Sequence, residues 1–90
     1  MNVAKVVGCI DAVEDFASSI AKAGIIGLVS EVDEKFKKFV KECNVSKPDE
    51  ELIKRNLEDL YVNQDVELAK SIEITVFETA LKSIKEMLQK

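Results

Sequence analysis

The stretch Val66-Glu67-Leu68-Ala69-Lys70-Ser71-Ile72-Glu73-Ile74-Thr75-Val76-Phe77-Glu78-Thr79-Ala80-Leu81-Lys82-Ser83-Ile84-Lys85-Glu86-Met87-Leu88 decides how this chain is read. It contains neither glycine nor proline. Val66, Ala69, Ile72, Val76, Phe77, Ala80, Leu81, Ile84, Met87 and Leu88 recur with the 3.6-residue period of an amphipathic helix. In its middle, Ile72-Glu73-Ile74-Thr75-Val76 alternates and is β-branched, which alone would suggest a strand. No turn residue separates that stretch from the helix formers around it, so one helix, capped by Asp65, is predicted. Its apolar arc covers about half the circumference, more than a simple surface helix carries. The fourth helix is therefore expected to lie centrally, with several partners.

Working back towards the start, three more helices precede it. Asn44-Val45-Ser46-Lys47-Pro48 reads as a loop that starts a helix running to about Tyr61. Ser46 or Lys47 stands at the cap, Pro48 in the first turn, and Asp49, Glu50 and Glu51 follow, where acids suit the positive end of the helix dipole. Leu52, Ile53, Leu57, Leu60 and Tyr61 point inward. Before it, Ser30 can cap a helix from about Glu31 to Cys43, whose inward stripe is Val32, Phe36, Phe39, Val40 and Cys43. Its outer face offers Glu31–Lys35, Asp33–Lys37 and Glu34–Lys38 pairs, and the next helix offers Glu50–Lys54 and Glu51–Arg55, all at i,i+4 spacing. The first helix runs from about Val3 to Gly24, with Val3, Val6, Val7, Ile10, Val13, Ala17, Ile20 and Ala21 on one face. Gly24-Ile25-Ile26-Gly27 then interrupts it as a hinge, turn or kink.

Residues 1–90 are thus expected to form one all-α domain, a compact bundle of four helices with the fourth at its centre. The composition agrees: 47% hydrophobic residues exclude a disordered tail, and three glycines and one proline give too little turn chemistry for an all-β fold. No apolar run approaches the roughly 20 residues that span a bilayer, so no membrane association is expected. The start of the chain has no cleavage pattern, and the two cysteines, Cys9 and Cys43, fall on apolar helix faces. The protein is read as cytoplasmic with reduced thiols, a Cys9–Cys43 bond being the less favoured state. Frequent Glu/Lys pairs with only two glutamines, Gln64 and Gln89, lean towards a thermophilic source.

Chemistry finds little footing. The chain has no histidine, so the usual neutral-pH base and the commonest metal ligand are both missing. Neither cysteine has a base partner, and no serine sits between glycines in a nucleophile elbow. No catalysis, cofactor or metal is expected. A net charge of −4 argues against nucleic acid. Lys35, Lys37, Lys38 and Lys41 surround Phe36 and Phe39, but those rings belong to the inward stripe, and the following helix is too acidic to read DNA.

Three features stand out as candidate interface or ligand sites. Glu73 projects into the apolar arc of the fourth helix, where a carboxylate needs a partner or a ligand. Structural ion pairs with Lys5 or Arg55 are the plain alternative. Asp11 and Asp15, with Glu14, crowd one turn of the first helix, as a solvated face or half of an interface with a basic partner. A strip of small residues including Ala4, Gly8 and Ala12 lets another backbone approach, either a second subunit or the fourth helix. Wide apolar arcs on the first and fourth helices are hard to cover within so small a domain. The expected function is therefore a protein–protein interaction module, a homo-oligomer or the small subunit of a larger complex. The alternatives are a carrier or sensor holding a small apolar ligand near Glu73, and a nucleic-acid-binding regulator.

Overall fold

The computed structural model describes residues 2–89, and these form four α-helices: α1 (Val3–Ile26), α2 (Val32–Glu42), α3 (Lys47–Asn63) and α4 (Val66–Gln89). The β-branched stretch 72–76 lies inside α4, helical as its flanks require. Consecutive helices run antiparallel. Cys9 near the start of α1 meets Cys43 just past the end of α2, while Lys22 at the other end reaches Glu31. Lys82 late in α4 meets Asp49 at the start of α3. The molecule is a rod of 40 × 21 × 18 Å, close to the ~36 Å length of a 24-residue helix. α1 and α4 lie side by side along it; α1 also packs on α2 and α3, and α4 on α3. The core is built around Phe16, whose ring sits 5.6 Å from Phe36 and 5.2 Å from Phe39, with Ile20, Ile53, Leu60, Ile72 and Val76 fully buried around it.

The helix ends show which local signals prevail. Ser46 caps α3, accepting from the Asp49 backbone N–H at 3.4 Å, with Pro48 in the first turn. Ser30 does not cap α2: Glu31 takes that place, without a side-chain cap bond. The Gly24–Gly27 segment is neither a hinge nor a kink. Gly24 is buried inside α1, where a Cβ would lie 2.6 Å from the Ala69 Cβ and 3.3 Å from the Asp65 carbonyl oxygen. The absence of a side chain lets the end of α1 touch the start of α4. Gly27 closes the helix in the left-handed conformation, at φ 70°, which glycine adopts without strain.

Surface pairing departs from the i,i+4 expectations. Only Asp33–Lys37 forms within 4 Å, at 3.1 Å; Glu31 turns to Lys22 at 3.9 Å, and Lys47 sits between Glu50 and Glu51. These pairs are exposed and each contributes ~0–1 kcal/mol, so solvation can win over the expected geometry.

Candidate functional site: an apolar groove between α1 and α4

The expectation of two reduced thiols is overturned: Cys9 and Cys43 form a disulfide, fully buried, between α1 and the C-cap of α2. Both faces had been identified correctly as apolar. What periodicity could not supply was that the two faces meet, 34 residues apart in sequence, with Cα atoms 4.6 Å apart. With the bond in place, the cysteines no longer favour a reducing compartment. No helix of the described residues is long and apolar enough to cross a membrane.

The wide apolar arcs of α1 and α4 are only half used. Ile72, Val76 and Ala80 of α4 and Val13, Ala17 and Ile20 of α1 are buried, as periodicity requires. Val3, Val7 and Ile10 of α1, and Phe77, Leu81 and Leu88 of α4, were also expected inside. They are 43–61% exposed. The reason is geometric. Two helices side by side bury the stripe between them, and the part of a half-circle arc that turns outwards is covered only by a further layer. Here α2 and α3 lie elsewhere.

Three of these residues, Ile10, Phe77 and Leu81, line a groove. Ile10, Val13 and Glu14 on one wall and Phe77, Ala80, Leu81 and Ile84 on the other enclose about 250 Å³ lined by apolar atoms. Along α4 the exposed seam is Ile74, Phe77, Leu81, half-buried Ile84 and Leu88, at intervals of three and four residues. That is the spacing of a coiled-coil seam, which keeps one side of a helix facing a partner along its length. A second exposed apolar group, Ile25, Ile26, Leu28, Val62 and Val66, caps the end where the α1–α2 and α3–α4 connections meet.

The other candidate residues are placed apart. Gly8 faces α2 rather than a second subunit or α4; a Cβ there would lie 3.0 Å from Glu42 Oε2. Ala12 is buried within the chain, while Ala4 of the same strip is exposed. Asp11 and Asp15 are exposed on α1. Among the described residues no group of three Cys, Asp or Glu side chains is placed to hold a metal. Glu73 is half-buried, and burial pushes its carboxyl above the usual carboxylate range, a rise partly offset by Lys70. Among the described residues it has no ion-pair partner within 4 Å, so the pairing with Lys5 or Arg55 is absent. Its nearest charge is on its own helix.

A second cleft, about 530 Å³, lies at the end of the rod where α1 begins and α2 and α4 finish. Asn2, Lys5, Lys41, Glu42, Cys43 and Ser83 contribute to its wall. Neither this cleft nor the groove is lined by Glu73. No family model, curated protein or solved structure matches the chain.

Proposed function

We propose that the protein is a self-associating interaction module, in which the groove between α1 and α4 receives the same groove of a second copy. The observation that carries this is the apolar surface left in solvent on both long helices, with Ile10, Phe77 and Leu81 lining one groove between them. Scattered exposed apolar residues need no explanation, but a contiguous patch at the upper end of the ~300–600 Å² seen on ordinary monomers does. The seven exposed residues of Val3, Val7, Ile10, Ile74, Phe77, Leu81 and Leu88 offer about 600 Å² on one chain. Covering that patch on two copies removes about 1,200 Å² from water, the lower edge of the size range of stable interfaces. A two-fold pairing needs only one patch that complements itself, and an apolar seam with three–four spacing meets that need. Four helices, two from each chain, would then enclose a common core, which supplies the covering layer that a 90-residue chain lacks.

The carrier reading would need a cavity beside Glu73, and Glu73 lines neither the groove nor the end cleft. The test is Leu81→Glu. Leu81 is 58% exposed, so the charge leaves the single chain intact but enters the centre of the proposed interface. Light-scattering mass should show dimers for the parent and monomers for the variant at equal concentration, with equal helical circular dichroism. A variant that remains as associated as the parent would contradict the assignment of the groove.

A further inference from the structure

We infer that the Cys9–Cys43 bond sets the shape of the groove, so that self-association depends on the oxidation state of the chain. The inference rests on the self-association reading. Its basis is where the bond lies in relation to the seam. Cys9 directly precedes Ile10, and it is the first buried residue of α1. In the turns before it, Val3, Ala4, Lys5 and Val7 are exposed and only Val6 and Gly8 are half-buried. The first turns of α1, which lead into Ile10 on the groove wall, therefore have few packing contacts of their own. The bond is what ties this part to α2.

Reduction would change that geometry directly. A covalent sulfur–sulfur bond is shorter than the van der Waals approach of two thiols. Two buried thiols at this place push α1 away from α2 and towards α4, the other wall of the groove. Interiors are close-packed, so such a displacement is passed on rather than absorbed.

The redox step is simple in its balance. Two external thiols give two electrons and two protons in all. They leave as one disulfide, and Cys9 and Cys43 are left as thiols. Cys43 forms part of the wall of the large end cleft, and Lys5 and Lys41 stand in the same wall. Glu42 and Glu86 line the cleft as well and balance the two lysines, so the cleft gives a reductant a polar approach to the bond with no net charge. Both sulfurs are fully buried, so exchange should be slow unless this end opens.

The experiment is sedimentation equilibrium of the wild-type chain over a dilution series, oxidised and in a phosphine reductant, with circular dichroism on the same samples. The expected result is a dimer whose dissociation midpoint rises about tenfold or more on reduction, with the helical signal unchanged. Equal midpoints in both states, a tighter dimer after reduction, or free titration of both thiols before reduction would each overturn the inference while leaving the dimer in place. Loss of the helical signal on reduction would also overturn it, because the bond would then support the fold and not the groove. An oxidised chain that is monomeric throughout would instead remove the self-association reading itself.

Discussion

Reducing the Cys9–Cys43 bond should lower the stability of the fold by an amount that can be worked from its position. The bridged residues are 34 apart in sequence. Closing a loop of that length in the unfolded chain removes about 12–13 cal/mol/K of entropy in the chain-entropy account, or about 4 kcal/mol at 25 °C. For a domain of this size, 1 kcal/mol moves the melting temperature by ~4–8 °C, so reduction should lower it by about 15–30 °C. Typical domains have ~5–15 kcal/mol in total, so the reduced chain should remain folded at room temperature with a thin margin. The assay is thermal and urea unfolding, followed by circular dichroism, of oxidised and reduced protein at one fixed concentration. Fixing the concentration matters because dimerisation also raises apparent stability. Cys9→Ala with Cys43→Ala gives an independent arm, expected to lose somewhat more because it also removes buried sulfur. A shift below about 5 °C on reduction would refute the reasoning, since it would mean that the unfolded chain gains little freedom when the staple is cut.

Further outcomes follow from individual positions. Gly24→Val should cost about 1–3 kcal/mol in urea unfolding, because its Cβ would meet the Ala69 Cβ at 2.6 Å and the backbone of Asp65 nearby. Ser46→Ala should cost about 1 kcal/mol by removing the cap of α3. Glu73→Gln should leave the fold as stable or slightly more so at pH 7, by about 0.3 kcal/mol. The sign follows from burial: a carboxyl whose folded pKa is raised contributes stability below its unfolded pKa and loses it as pH rises through the folded value, so at pH 7 nothing is forfeited by removing the charge. A clear loss of stability in that variant would show that Glu73 has a partner. Asp49 should behave in the opposite way. The hydrogen bond from Lys82 holds its carboxyl below the usual range, so its contribution is present above its unfolded pKa, near 3.9, and fades as pH falls through the lower folded value. Comparing acid unfolding of the parent with Asp49→Asn checks this.

Much of the architecture was legible in the sequence because it is written in local signals. The long glycine-free period of 66–88, the Ser46–Pro48 start of α3 and the glycine at 27 each act within one helix or at its ends. The β-branched run 72–76 was resolved by its flanks, since a strand cannot begin without leaving the helix on either side. The features that were not legible are all relations between helices. Periodicity puts Cys9 and Cys43 on apolar faces but does not say that those faces meet. It groups Gly8 with small residues but does not show that α2, and not α4, covers it. It also assigns Phe77 and Leu81 to the same arc as Val76 and Ala80, although the fold buries one half of that arc and leaves the other in solvent. The surplus itself could be foreseen from the width of the arcs; its location as a groove with two walls could not.

The central claim is that this exposed seam is covered by a second copy, and the most direct test is the light-scattering mass of the oxidised chain across a dilution series. The expected result is a mass twice the 10.0 kDa of one chain at high concentration, falling to a single chain on dilution. A mass of one chain at every concentration would contradict it.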